Sequence, residues 1–480
     1  MPLDSTYDVK ENQLSIETEE RRASPTLLDE DRFAEVLSFI ASRAELHDRT
    51  AEFPHEAFAR LHTIGAQALT VPTRFGGLGG GVADAVEVIE RVGAADPSVG
   101  LILQWNYTNH LTLQRQDSPW PADLIEAVFR TAVSEGALIN GLAVERELGS
   151  LSRGGIPATT AELQDDGSWI ITGEKAYGTG ISGLRWITVT ASTTEPEPRV
   201  ATFLLDNDTP GWTVLPTWDH LGLRASDTQG VLFEGTRVPG SRLVDIRDPR
   251  DGTAKLRNTG RLALPLLLAA NYNGVSIATR DWLVRYLHTR VPTALGASLA
   301  TVPRFHDRVG EIEASLQTSR ALLRHAVTAL GNGDTSLPGL AKHVATTTAI
   351  RITESALDLT GNPGLSRSNP LERHHRNAMV GRVHFPQSDF VVAALGRSAL
   401  AAGAEPAERP GRAGAEPAER PGRAGAEPAE RPGRAGAEPA ERPGRAGAEP
   451  AERPGRAGAE PAERPGRAGA EPAERPGGAG

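Results

Sequence analysis

The hydrophobic period of this chain changes twice, and that change limits the folds open to it more than any single motif does. From Leu27 to about Asn140, apolar residues recur at three- and four-residue spacing in FAEVLSFIASRAEL and HEAFARLHTIGAQAL. The pattern continues in VADAVEVIERVGAAD after the glycine-rich turn FGGLGGG, and this spacing predicts helices. From about Gly141 to Asp245 it gives way to short strands, TTAELQDDGSWIITGEKAYGTG, RWITVTAS, RVATFLLD and GWTVLPTWDHLG, bounded by Gly, Pro, Asp and Asn. From about Thr253 to Leu400 the helical period returns in GRLALPLLLAANYNGVSIATRDWLVRYLHTR and DRVGEIEASLQTSRALLRHAVTALG. The expected order is a helical N-terminal domain (27–140), a small β domain (141–245) and a helical C-terminal domain (253–400), an α+β architecture.

Both ends depart from this pattern. Residues 1–26 are polar and acidic with no apolar signal core, and are expected to form a disordered leader. From Ala402 the unit AGAEPAERPGR recurs every eleven residues, seven copies in all, the last altered to AGAEPAERPGG before the final Ala479 and Gly480. An eleven-residue period suits a supercoiled helix, but each unit here carries two prolines, two glycines and no large apolar side chain. Residues 402–480 are therefore expected to be a disordered, partly extended polyampholyte, either a spacer or docking arm or an expanded repeat without function. The tail's 14 Glu and 13 Arg nearly cancel, so of the chain's net charge of −10, −9 resides in residues 1–401. That sign argues against a global field for nucleic acid or an acidic membrane. No apolar run reaches membrane-spanning length, and a cytoplasmic location is expected. The absence of cysteine excludes disulfides, thiolate metal sites and a cysteine nucleophile.

Most motif-like stretches fail on inspection. FGGLGGG (75–81) lacks both the Gly-Lys-Ser/Thr ending of a phosphate loop and the strand before it that a dinucleotide fingerprint needs. RHHRNAMVGRVHFPQSD (373–389) crowds His374, His375 and His384 among arginines. Adjacent helical histidines diverge by about 100°, and no acid stands at i+3 or i+4, so no metal site is expected. GEKAYGTG (173–180) is more informative. Tyr177 and Thr179, two apart in an extended segment, fall on one side of the backbone, where a flat ring could stack and receive a hydrogen bond; an ordinary hairpin is the alternative.

Four stretches in order, VPTRFGGLGG (71–80), ITGEKAYGTG (171–180), HLGLRASDTQGVLFEGTRVP (220–239) and LTGNPGLSRSNPLERHHRNA (359–378), resemble the acyl-CoA dehydrogenase superfamily over nearly all of residues 27–400. The resemblance implies a helical N-terminal domain, a central β-barrel domain, a C-terminal four-helix bundle, a flavin bound between them and a homotetramer. It implies further that Tyr177 lies beside the isoalloxazine and that Thr179, with Gly178 and Gly180, lies near the reactive ring nitrogen.

Departures from the family pattern bear on the chemistry. Dehydrogenation needs a carboxylate to remove the proton alpha to the thioester. The family places it nine residues after an arginine matching Arg376, which here is Phe385, or just before an arginine matching Arg261, which here is Gly260. Neither is an acid. RHHRNAMVGRVHFP and the pattern G.K.Y.TG....W are instead similar to the superfamily's reduced-flavin monooxygenases, the dibenzothiophene monooxygenase branch. That branch implies O2, a small substrate, a separate flavin reductase and a hydrogen-bond donor, for which His384 is the candidate alongside Thr179; the alternative is a histidine that satisfies a buried carbonyl. His374 is expected to be structural, His375 is left open, and one guanidinium of Arg373 or Arg376 is expected to pair with Glu372 or a phosphate. Arg290 survives from the family's adenine-nucleotide loop and Gly361 from its partner loop, but Asp358 stands where a glutamine belongs, which favours FMN over FAD. VERELGSL keeps Gly149 and Ser150 of the flavin-contacting segment and has Val144 in place of its threonine. LQWNYTNH (103–110) offers Trp105, Asn106 and Tyr107 as pocket residues or as core. The rival readings are an acyl-CoA dehydrogenase with its base elsewhere and a catalytically silent flavin-binding scaffold.

Overall fold

The computed structural model describes residues 27–147, 149–150, 156–249 and 262–402. The leader and the repeat units after Ala402 lie outside the described residues. Among the described residues five α-helices come first: α1 (Glu30–Thr50), α2 (His55–Thr63), α3 (Val82–Ala95), α4 (Pro97–Leu113) and α5 (Ala122–Ser134). Their starts follow from local chemistry. Asp29 caps α1, accepting from the Arg32 amide at 3.0 Å, with Glu30 and Asp31 in the first turn. Asp96 caps α4 through the Ser98 amide at 2.9 Å, Pro97 supplies the preset first turn, and the other carboxylate oxygen of Asp96 meets His47 Nδ1 at 2.9 Å, tying α1 to α4.

Ten strands follow: β1 (Leu138–Leu142), β2 (Val144–Glu145), β3 (Gly149–Ser150), β4 (Thr160–Leu163), β5 (Trp169–Gly178), β6 (Leu184–Thr193), β7 (Val200–Asp206), β8 (Trp212–Leu215), β9 (Gln229–Val238) and β10 (Leu243–Arg247). The sheet thus begins at Leu138, inside the stretch whose period predicted helix, because a short apolar run such as LIN does not distinguish a buried strand from a buried helix. β5 is the spine, antiparallel to β4 along one edge and to β9 along the other, while β1 runs parallel to β6. Trp169, Ile171, Phe203 and Phe233 point into the same apolar core that receives Leu103, Leu266 and Leu267 from the helices. The β layer and the helical layers therefore share one interior.

The C-terminal helical domain comprises α6 (Ala263–Thr289), α7 (Pro303–Gly331), α8 (Leu337–Thr360), the single turn α9 (Asn362–Leu365), α10 (Leu371–Val380) and α11 (Ser388–Ala402). α6 packs chiefly on α3 and α8. Its approach to α3 is backbone to backbone: a Cβ on Gly274 would lie 2.5 Å from the Glu90 carbonyl oxygen and 2.6 Å from the Ala94 nitrogen. Gly274→Ala is accordingly expected to push the two helices apart and lower stability by about 1–3 kcal/mol, read as a drop in the urea midpoint with unchanged slope.

α4 is buried on nearly every side, from Val99 to His110. A helix with no exposed polar face is an interior element, and α4 is the wedge between the sheet and the C-terminal helices. Among the described residues, no helix is long and apolar enough to cross a membrane.

Candidate functional site

Thr179 lies at the end of β5, where the strand stops pairing regularly with β9 between Lys175 and Gly178. At this bulge Tyr177 takes φ 61°, a left-handed conformation that costs a non-glycine residue about 1–3 kcal/mol. The bend leaves the Tyr177 ring 48% exposed, edge-on to His220 at 6.3 Å, and His220 in turn stacks on Trp218 at 3.6 Å. Buried Nδ1 of His220 has no partner, and burial lowers the ring's pKa. The result is an accessible aromatic surface with an uncommitted polar atom beside it.

Thr179 itself is buried. Its carbonyl accepts from Asn140 Nδ2 at 3.0 Å, and its Oγ1 accepts from Thr228 Oγ1 at 3.1 Å, which leaves its own hydroxyl proton to point elsewhere. The Gly180 amide donates to the carbonyls of Ser226 and Asp227 at 2.8 and 3.1 Å, locking β5 to the ASDT stretch. Ser150 reaches this region by backbone register alone: it pairs with Val144, and Val144 pairs with Ala176, next to Tyr177.

The segment before ASDT is clamped from the other side by α10. The Leu223 amide donates to Asn377 Oδ1 at 2.7 Å, and Trp218 Nε1 donates to the Leu223 carbonyl at 3.2 Å. Gly222 permits the contact, since a Cβ there would sit 2.4 Å from the Arg376 carbonyl oxygen. Arg376 makes two bonds to Asp48, at 2.9 and 2.7 Å, two to Glu372, at 2.7 and 2.9 Å, and one to the Leu221 carbonyl at 2.9 Å. This guanidinium is a brace between α1, α10 and the loop, and its pairing with Glu372 is the one expected from i,i+4 spacing.

His384 follows α10 in a turn held from below. The buried Lys342 ammonium donates to the carbonyls of Gly381 at 2.8 Å and His384 at 2.7 Å. Tyr272 Oη lies 2.9 Å from His384 Nδ1. Burial, with the Lys342 charge adding to it, pulls the His384 pKa down to about 3, so the ring is neutral near pH 7. His384 Nε2 has no hydrogen-bond partner among the described residues. Tyr272 belongs to an apolar cluster with Leu101, Leu223 and Leu268, and half-buried Trp105 packs against it. Phe385, at the family's acid position, is 47% exposed and tilted against Phe390 at 5.7 Å. No described carboxylate hydrogen-bonds to Thr179, Tyr272 or His384.

The remaining candidates fall elsewhere. Tyr107 is fully buried and donates to the Ala66 carbonyl at 2.7 Å. Asn106 donates to the Gln67 carbonyl at 3.0 Å and accepts from the Ile139 amide at 3.2 Å. Both spend their polar atoms on the backbone, which is the core alternative for LQWNYTNH. His375 Nδ1 meets Thr353 Oγ1 at 3.1 Å. His374 is buried with Nδ1 unpartnered, and burial together with Arg373 and Arg285 holds its pKa at about 3. Arg290 ends α6, exposed, and Gly361 ends α8 with φ 61°; neither hydrogen-bonds to the Thr179 group. Sequence reasoning missed Tyr272, Lys342 and His220. Only His220 carried a signal, being quoted within a recognisable motif.

A flavin ring needs a flat apolar face, a donor at its nitrogen edge and shelter from water. Tyr177, the free hydroxyl proton of Thr179 and the apolar wall around Trp105 and Leu223 fit those needs. Among the described residues, no group of three His, Asp or Glu could hold a metal ion.

Three family descriptions match the chain in order: acyl-CoA dehydrogenase N-terminal domain at residues 32–113, middle domain at 146–236 and C-terminal domain at 266–388. The Bacillus subtilis (strain 168) protein YdbM, named as an acyl-CoA dehydrogenase, is 31% identical over 358 residues, covering 74% of this chain and 91% of the relative. Among solved structures, KijD3 in complex with FMN and an amino-sugar nucleotide is 28% identical with a TM-score of 0.67, covering 77% of this chain and 92% of that one. FMN-bound TdsC of Paenibacillus sp. A11-2, a dibenzothiophene monooxygenase, shares the fold at 22% identity and a TM-score of 0.71, over 78% of this chain and 97% of that one. By the three family matches, the likeness to YdbM and the shared fold, this chain belongs to the acyl-CoA dehydrogenase superfamily of flavin-dependent oxidoreductases.

Proposed function

We propose that the protein is a monooxygenase that uses reduced flavin, FMN in preference to FAD, and O2 to oxidise a small organosulfur, aromatic or amine compound. The observation that carries this reading is the replacement of the family's acid by Phe385, with a neutral histidine, His384, at the position just before it and its Nε2 without a partner among the described residues. In such a reaction the bound flavin supplies two electrons, one oxygen atom enters the substrate and the other leaves as water. Tyr177 would present its ring to the isoalloxazine, and Thr179 would hold its hydroxyl proton toward the nitrogen edge. His384 would hold a proton at Nε2 and donate it to oxygen, and the cluster around Trp105 and Leu223 would exclude water. The FMN in KijD3 and in TdsC supports the cofactor choice, as does Asp358 in place of the family glutamine. The reading carries with it a separate flavin reductase, a homotetramer and a cytoplasmic location.

A second reading, dehydrogenation of an acyl-CoA with FAD, is favoured by the name of YdbM. Gly260, the family's other acid position, lies outside the described residues. The two readings separate in one experiment. Protein loaded with reduced FMN is mixed rapidly with oxygenated buffer and a substrate panel, and hydrogen peroxide and oxygenated product are both counted. Wild type is expected to deliver oxygen to a substrate, and His384→Ala to lose about 10²-fold of that product, the lower end of general-acid contributions, while releasing peroxide instead. Bleaching of the oxidised flavin by an acyl-CoA under anaerobic conditions, without oxygen transfer to any substrate, would overturn the proposal.

A further inference from the structure

Tyr272 stands in α6 among core residues, and nothing in its sequence context, LAANYNG, marks it as part of a site. Its ring is fully buried, and burial keeps its hydroxyl protonated well beyond the ordinary phenol range. The hydroxyl has one hydrogen-bond partner among the described residues, His384 Nδ1 at 2.9 Å. A buried phenol with a single partner donates to it, because accepting would strand its own proton in an apolar cluster.

The backbone beneath the ring is fixed separately. Lys342 Nζ bonds the carbonyls of Gly381 and His384, so the turn does not depend on Tyr272 for its path. What Tyr272 adds is control of the ring proton. We propose that Tyr272 is a positioning residue: its hydroxyl, 2.9 Å from Nδ1, holds His384 in the tautomer that accepts at Nδ1 and carries its proton at Nε2. The opposite tautomer would leave a lone pair at Nε2, which is what a proton-abstracting base requires. The Tyr272–His384 pair is thus set to make the histidine a donor and to deny it the role of base.

The use made of that proton rests on the monooxygenase reading; the tautomer does not, and the test reads the two apart. The full-length protein, labelled with 15N-histidine, gives a nitrogen spectrum in which His384 is assigned by its loss in His384→Gln. Wild type is expected to show an unprotonated Nδ1 and a protonated Nε2 at pH 7. Tyr272→Phe, which keeps the ring and removes the hydroxyl, is expected to shift the tautomer ratio by about tenfold toward Nδ1–H, the worth of one net hydrogen bond, and to raise peroxide release from the FMN-loaded enzyme. An Nδ1–H tautomer or an imidazolium in wild type would overturn the proposal without need of any variant, and so would an unchanged spectrum in Tyr272→Phe. A tautomer shift with no change in oxygen chemistry would leave Tyr272 as the positioning residue and remove the monooxygenase reading.

Discussion

Lys175→Met, with Glu145 retained, is expected to lower stability by about 3–5 kcal/mol, the cost of leaving a buried charge without its partner. Lys175 is fully buried in β5, and its Nζ lies 2.6 Å from Oε1 of Glu145, which is itself only 7% exposed along its side chain. Burial pushes the Glu145 pKa up, but the hydrogen bonds from Lys175, the Thr159 and Ala158 amides and the Thr159 hydroxyl bring it down to about 2. Removing the ammonium leaves those neutral donors to hold a full negative charge. Lys175→Met combined with Glu145→Gln is expected to lose less than the single change, because the amide oxygen still accepts from Thr159 and no charge is stranded. Urea midpoints of the wild type, single and double variants check this; a double variant as weak as the single would mean that packing rather than charge sets the cost. The pair flanks the backbone link from Ser150 through Val144 to Ala176, so the single variant is also expected to retain flavin less well.

How much of this could be read from the sequence follows from how local each interaction is. The helices of α1 to α3 declared themselves because one face of each is apolar. α4 did not show what its residues do: with apolar and polar residues mixed around a helix buried on nearly every side, it offers no face by which to sort LQWNYTNH, and the partners of Asn106 and Tyr107 are backbone groups 39 to 41 residues upstream or 33 downstream. Tyr177 and Thr179 could be picked out as candidates because they sit within one short motif, whereas the strained φ of Tyr177 depends on how β9 pairs across from it. The Arg376–Glu372 bond is written in helical spacing; the bond to Asp48, 328 residues away, is written nowhere. The same holds for Tyr272, 112 residues from the histidine it contacts. Side chains that define a local motif can be found from the sequence, and those that tune it from another element cannot.

Acidification from pH 7.5 to pH 5 is expected to cost about 4 kcal/mol of folding stability through His110 and His374 alone. Burial holds both at about 3 in the folded protein, with Arg373 and Arg285 adding to the shift at His374. In the unfolded chain each titrates near 6.5. Between those values the unfolded state binds protons that the folded state refuses, so stability rises with pH across the window and falls as pH drops through 6.5 toward 3. Each ring contributes about 2 kcal/mol over this interval. Half-buried His384, held at about 3 by burial and by Lys342, works in the same direction. Glu145, lowered to about 2, contributes its full stability above the ordinary carboxylate range and loses it only as pH falls through that range toward 2, so its loss comes later and is separable. Urea unfolding at half-unit steps of pH checks the slope, and His110→Gln, which replaces one neutral buried ring by a group that does not titrate, is expected to remove about one proton from it. A flat profile between pH 7 and 5.5 would mean that these rings reach water in the folded state. His384 would then lose the property on which its proposed role depends, because the burial that makes the fold sensitive to acid is also what keeps its ring neutral, with Tyr272 at Nδ1 and a proton at Nε2 to give.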